Sequence, residues 1–191
     1  MNRLDLYTLP DRLEIGGRMY RLRTDFRVVL DVLTALNDPE LDEWGQGCVM
    51  LRIMLPEWRE LPADFYPEAC EKISAFIDFG MEPEQEQSPR LMDWGQDAPI
   101  LIPAINKVAG KEIRAERDLH WWTFMAYYLE IGEGVFSHVV SIRSKQAKHK
   151  KLDKEEQAFY RQNKAMVDLN STVQEEVRQE KAQILRFLDG T

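Results

Sequence analysis

Apolar and polar residues near the start of the chain follow a pattern typical of a β-hairpin. Two short strand-like segments, 13–15 and 19–22, lie on either side of Gly16 and Gly17. A Gly-Gly pair permits the positive φ angles that a two-residue hairpin turn requires. Because an isolated hairpin is only marginally stable in water, we expect this one to pack against helices.

After the hairpin, apolar residues recur with the spacing of amphipathic helices. The spacing predicts a helix capped at Thr24, a second helix over 41–55 and a third helix that ends at Gly80. Gly45 and Gly47 weaken the second prediction, since each costs up to about 1 kcal/mol relative to alanine inside a helix. The predicted apolar positions of these three helices are Phe26, Val29, Leu30, Leu33, Trp44, Cys48, Leu51, Leu55, Ala69, Ile73, Phe76 and Ile77.

The second half of the chain begins with a polar segment and then becomes strongly apolar. Residues 81–90 contain two prolines and few apolar side chains, which is typical of a loop. A helix follows over 100–110, where Pro103 is expected to kink or shorten it. Residues 120–129 are apolar on almost every side, which predicts a helix at the centre of the core. Residues 135–142 form a further helix by the same spacing.

From residue 143 onward the chain is highly charged and its apolar stripes are thin. Narrow stripes on polar helices indicate a surface helix or one that faces a partner. We therefore predict a mainly α fold, with one globular domain over residues 1–148 that includes the N-terminal β-hairpin. A charged helical C-terminal extension follows over 149–191. This division predicts that removal of 153–191 leaves a folded body.

Composition and charge narrow the class of protein. The 191 residues are 44% hydrophobic, so a core can form, and 25 Lys and Arg against 33 Asp and Glu give a net charge of −8. Such a surface repels phosphate backbones and anionic lipid, which argues against nucleic-acid and membrane binding by the whole molecule. Two cysteines, Cys48 and Cys70, suit a reducing cytoplasm. The sequence contains no apolar run of the length that a membrane span needs.

Candidate chemistry is sparse along the chain. No nucleophile elbow, Walker loop or dinucleotide-binding glycine motif occurs. Glu116 and His120 share a helical spacing but are too few for a metal site, and Asp93 with Asp97 is interpreted as helix capping. Trp121 and Trp122 point about 100° apart on a helix, which places one ring in the core and the other at a boundary. We predict no enzymatic activity and no cofactor.

The basic run over 143–151 and the stripe beyond it are the candidate binding features. The run is interpreted as a solvated helix end, with an acidic protein partner or nucleic acid as alternatives. The stripe either contacts a partner helix or packs back on the core, and the sequence favours neither. The candidate partner-binding residues are Arg143, Lys148, Lys150, Lys151, Val173, Val177, Ile184 and Leu188.

Several short motifs occur together in one order along the chain. They are the hairpin that leads into 24–27, Met-Asp-Trp at 92–94 with Asp97, His-Trp-Trp at 120–122 with Phe124, and Ile-Arg at 142–143. As an ordered set over residues 11–188, they resemble the bacteriophage gene product fifteen family of siphophages and prophages of Gram-positive bacteria.

The resemblance implies a role in phage tail assembly. It implies a chaperone in the host bacterial cytoplasm that binds the tape measure protein and other tail assembly proteins, and keeps the tape measure soluble while the tail forms. The family has no catalytic residues to transfer to this chain. Two alternatives are a structural tail component retained in the virion and a nucleic-acid-binding regulator that uses 143–151. Self-association of the chain is compatible with each role.

Overall fold

A computed structural model describes residues 8–38, 40–80 and 89–169. The fold is mainly α with a two-stranded antiparallel hairpin, which confirms the predicted fold class. The chain divides into two compact units, Met1–Gln87 with Ile105–Ile131 and Ser88–Ala104 with Gly132–Thr191, and the account below concerns their described residues. The elements are β1 (Arg12–Ile15), β2 (Arg18–Arg21), α1 (Phe26–Leu36), α2 (Glu43–Met54), α3 (Tyr66–Ile77), α4 (Ala98–Ala109), α5 (Trp121–Leu129), α6 (Val135–Ala147), α7 (Lys154–Gln162) and α8 (Lys164–Val167).

The hairpin of the first unit has the turn that its glycines predict. Gly16 and Gly17 adopt φ angles of 56° and 75°, values that favour glycine. A Cβ on Gly16 would also lie 2.7 Å from the ring of Phe65, so a larger residue at this position would require the ring to shift. Ile15 and Tyr20 are buried, and β1 contacts α3, so the hairpin packs on a helix as expected.

Helix α1 begins at Phe26 with Asp25 as its cap, one residue later than predicted. The Asp25 carboxylate accepts a hydrogen bond from the backbone N–H of Arg27 at 2.9 Å. Thr24 is excluded from the helix because its carbonyl accepts a bond from Trp121 N–H at 2.7 Å. This contact and the bridge between Asp25 and His120 join the start of α1 to the start of α5.

Helix α5 supplies the centre of the first unit, which confirms the interpretation of its apolar sequence. Trp121 is 1% exposed, and Phe124 stacks on Phe26 with ring centroids 4.7 Å apart. Trp122 is half-buried, and its indole N–H donates to the carbonyl of Phe76 at 2.9 Å. The two tryptophans therefore divide between core and boundary, as the helical geometry predicted.

The second unit has its own apolar cluster. Val139 and Ile142 of α6 pack with Val167 of α8, and all three are fully buried. The half-buried residues packed against this cluster are Ile100, Leu152, Phe159, Tyr160 and Met166. The predicted domain boundary at 148 falls inside this unit, and the described part of the predicted extension, 149–169, packs with α6. Because Val167 of α8 packs with α6, we expect a deletion that removes α8 to destabilise the second unit. The sequence had predicted that removal of 153–191 leaves a folded body.

Candidate protein-interaction surfaces

Arg143 lies in the interior of the second unit. The side chain is 4% exposed, and its guanidinium forms a bidentate ion pair with Asp97. Nη1 lies 2.7 Å from Oδ2, and Nη2 lies 2.9 Å from Oδ1. Its remaining donors bind backbone carbonyls of Val167 at 2.6 Å, Met166 at 2.8 Å and Leu91 at 3.0 Å. These five bonds use all five guanidinium N–H donors.

This arrangement corrects the sequence-based interpretation of Arg143. The residue was expected on a solvated basic helix end, where it would be available to a partner. Instead, the arginine joins three separate stretches of the chain, and it has no donor left for a ligand. Arg143 therefore stabilises the second unit and does not belong to an exposed binding surface.

The lysines that follow Arg143 differ in their exposure to solvent. Lys145 is half-buried and forms an ion pair with Glu156 of α7. Lys148, Lys150 and Lys151 are exposed. The basic run thus presents a smaller positive surface than its composition indicates.

The end of α6 places these lysines beside a shallow groove. His149 adopts a left-handed φ of 53°, and Lys150 N–H donates to the carbonyl of Lys145 at 2.8 Å, which is the hydrogen bond of a Schellman-type helix end. The groove has a volume of about 490 Å³. Its lining residues are Leu91, Ser137, Val140, Ser141, Ser144, Lys145, Lys148 and Lys150. The remaining predicted site residues, Val173, Val177, Ile184 and Leu188, lie outside the described residues.

A larger apolar surface occurs in the first unit, at the junction of α1, α2 and α3. The groove there has a volume of about 510 Å³ and is called the Trp44 groove below. Trp44 stands at its side with 66% of its surface exposed, and its ring stacks on Tyr66 with centroids 6.1 Å apart. The lining residues are Leu36, Glu43, Trp44, Gln46, Gly47, Cys48, Met50, Leu51, Tyr66, Pro67, Cys70 and Ser74.

Two small lining residues of the Trp44 groove, Gly47 and Cys70, lie close together. Gly47 has no side chain, and a Cβ placed there would lie 3.4 Å from the sulfur of Cys70. The Cys70 thiol points at the Gly47 carbonyl, 3.9 Å away. Burial raises the pKa of Cys70, and the nearby Cys48 raises it further. Both cysteines are free thiols, and both line the groove.

The sequence did not identify Trp44 as an exposed residue. Its spacing with Cys48, Leu51 and Leu55 predicted one core-facing stripe, and only Leu51 and Leu55 are fully buried. Helix α2 begins at Glu43, so Trp44 occupies its first turn. Asp42 and Glu43 before Trp44 indicate a helix N-terminus, and Gly45 and Gly47 after it leave little side-chain surface around the ring. These were the sequence signals that Trp44 lies at a helix end.

The other side chains considered for chemistry have structural roles. His120 Nδ1 accepts from Trp122 N–H at 3.0 Å, and Nε2 lies 3.0 Å from the carbonyl of Pro10. Asp93 accepts from Gln96 N–H at 2.6 Å in a turn before α4, and Asp97 binds Arg143. Within the described ranges, no three His, Cys, Asp or Glu side chains come together as metal ligands. Those ranges also contain no helix long and apolar enough to cross a bilayer.

Comparisons with known proteins identify the family. Neither the curated proteins nor the solved structures gave a match. The sequence profile described as Bacteriophage Gp15 protein matches residues 7–169, which is most of the chain. The chain therefore belongs to the Bacteriophage Gp15 protein family and is phage-related.

Proposed function

We propose that this protein is a phage tail assembly chaperone. It binds the tape measure protein in the host cytoplasm and keeps it soluble while other tail proteins assemble around it. The protein acts by binding, without catalysis. Membership of a phage family supports this role, and the observation that carries it is the Trp44 groove, an open apolar surface built between three helices.

The Trp44 groove has the properties of a protein-binding surface. Trp and Tyr are enriched where truncation to alanine most weakens protein complexes. Trp44 and Tyr66 are already stacked before any partner binds, so little side-chain entropy remains to be lost. A chaperone needs such a surface because its client exposes apolar residues until assembly is complete.

The lysines at the end of α6 offer a second, polar contact. Lys148 and Lys150 line their groove together with serines, a combination that suits carboxylates of an acidic partner. Exposed charges of this kind affect the association rate and its salt dependence more than the affinity. We assign them a supporting role in contacts with tape measure or other tail assembly proteins.

Co-expression with the tape measure protein of the same phage tests the proposal. The tape measure protein should be insoluble alone and should co-purify with this chain through affinity capture and size-exclusion chromatography. Trp44→Ala should reduce the recovered tape measure protein, whereas Leu129→Ala should not. Leu129 is a matched control because it is 53% exposed in the same unit and does not line the groove.

Two results would contradict the proposal. One is a tape measure protein that is soluble alone and never co-purifies with this chain. The other is abundant recovery of this chain in purified virions by mass spectrometry, which would favour a structural tail component.

A further inference from the structure

Acidic residues dominate the chain around the Trp44 groove. Residues 28–51, which contain most of α1 and three quarters of α2, include five Asp and Glu and no Lys or Arg. Asp38, Asp42 and Glu43 are exposed, and Glu43 lines the groove itself. The chain segment that contributes Glu43 and Trp44 to the groove is therefore negatively charged.

No cation of the described chain pairs with these three carboxylates. The ion pairs of the described residues do not include Asp38, Asp42 or Glu43. Asp42 accepts the backbone N–H of Gly45 as a helix cap, a bond that does not neutralise its charge. On α3, Lys72 binds Glu68 at 2.6 Å and the carbonyl of Glu14, so it is directed to the hairpin.

We infer that the Trp44 groove binds the apolar face of an amphipathic helix whose flanking positions carry Lys and Arg. The groove runs between helices, and an apolar stripe with spacing i, i+3, i+4 and i+7 is the ligand that such grooves accept. Lys and Arg beside that stripe would meet Glu43, Asp42 and Asp38, which supply the charge complementarity. That the helix belongs to the tape measure protein rests on the proposed function.

The groove contains its own reporters of occupancy. Trp44 is an exposed fluorophore at its side. Cys48 and Cys70 are the only cysteines of the chain, and both line the groove. A helix seated there should shift Trp44 emission and slow alkylation of both thiols, whereas a helix bound elsewhere should change neither.

The direct test titrates the full-length protein with two synthetic peptides of roughly 18 residues, or five helical turns. Both peptides carry the same stripe of Leu and Met, and the flanking positions are Lys in one and Glu in the other. The Lys peptide should bind at least about 10-fold more tightly at low salt, and the difference should shrink in about 1 M salt, where the Debye length is ~3 Å. Calorimetry measures affinity, and mass spectrometry of alkylated peptides measures thiol protection.

Variants locate the site on the protein. Trp44→Ala should weaken binding of the Lys peptide by about 30-fold, as expected when a large aromatic contact residue is truncated. Glu43→Lys should weaken the affinity for the Lys peptide by about 5- to 10-fold, because a negative contact charge is replaced by a positive one. Glu130→Lys is the matched control, because Glu130 is exposed at the end of α5 and does not line the groove. Its affinity should equal that of the unmodified protein.

Equal binding of both peptides, or binding that leaves Cys48 and Cys70 unprotected, would overturn the inference. Concentration-dependent self-association that Trp44→Ala abolishes would also overturn it, since a second copy would then be the occupant. The proposed function fails separately. If the Lys peptide binds but the tape measure protein is not retained, the inference about the groove is supported and the proposed chaperone function is contradicted. If the Trp44→Ala and Glu43→Lys variants retain the tape measure protein fully, the chaperone function is supported and its use of this groove is contradicted.

Discussion

Replacing Arg143 with methionine tests how far one buried ion pair stabilises the second unit. Methionine keeps an unbranched apolar side chain in the space and removes all five donors. In the native structure these donors bind Asp97 and three backbone carbonyls. The substitution thus removes hydrogen bonds and charge together, with little loss of packing volume.

The structure gives the expected magnitude. After the substitution, the Asp97 carboxylate would remain buried, with the Asp93 N–H at 2.9 Å as the hydrogen bond that the structure retains for it. Breaking a buried pair by removing one partner costs about 3–5 kcal/mol, because the remaining charge is uncompensated. Whole domains are stable by only about 5–15 kcal/mol, so the loss should be large enough to unfold part of the population.

Urea denaturation followed by far-ultraviolet circular dichroism measures the change. Arg90→Met is the matched control, since Arg90 pairs with Asp93 in the same unit but is half exposed. An exposed pair of this kind contributes at most about 1 kcal/mol. The stability loss of Arg143→Lys should lie between those of Arg143→Met and Arg90→Met, because lysine keeps the positive charge but lacks the planar guanidinium that pairs with a carboxylate through two hydrogen bonds.

The double variant separates pairing from packing. If the ion pair is the cause, Arg143→Met together with Asp97→Leu should cost less than the sum of the single changes, since neither charge is then left buried alone. The reasoning is refuted if Arg143→Met costs no more than Arg90→Met. Strict additivity in the double variant would likewise show that the two side chains act independently.

Two further predictions concern the C-terminal boundary and the thiols. A chain that ends at residue 148 should unfold less cooperatively than one that ends at residue 169, because it lacks the buried Val167. Thermal circular dichroism measures the difference, and equal melting of these two chains would contradict the packing. In a Cys48→Ser variant, Cys70 should react with iodoacetamide more slowly than glutathione at pH 8, since the thiolate is the nucleophile and burial raises the pKa of Cys70. A rate equal to that of glutathione would show that burial does not control this thiol.

The sequence predicts the first unit well where local chemistry decides the structure. Gly16 and Gly17 define the hairpin turn, and the apolar sequence around Trp121 predicts a core helix, in which Trp121 and Phe124 are buried. Pro103 shows the limit of such arguments, since α4 continues through it to Ala109. Of the two effects expected of Pro103, a kink or a shorter helix, the shortening does not occur.

The second unit was harder to predict because its decisive contacts join distant residues. Arg143 stands among lysines, and nothing local distinguishes it from them. Its role depends on carbonyls at 91, 166 and 167 that converge only in the folded unit. Helix α7 is polar along most of its length, so its place beside α6 could not be inferred from its own pattern.

Trp44 was missed for the opposite reason, because its local pattern was misleading. The helical spacing of Trp44 matches that of buried residues, but the helix begins at the adjacent Glu43. Burial of Trp44 would require a neighbouring element over the first turn of α2, and the groove lies there instead. Spacing alone does not reveal where the neighbouring helices end.

The bonds of Arg143 also have a consequence for the order in which the second unit folds. Its contact with Val167 spans 24 residues, whereas its contact with Asp97 spans 46. Closing the longer loop costs more chain entropy, so the helices from α6 to α8 should associate first and the segment around Asp97 should dock last. Asp97→Asn should accordingly accelerate unfolding in stopped-flow experiments and leave the refolding rate nearly unchanged. The ion pair would then form after the folding transition state, so it would slow unfolding of the second unit without accelerating its folding.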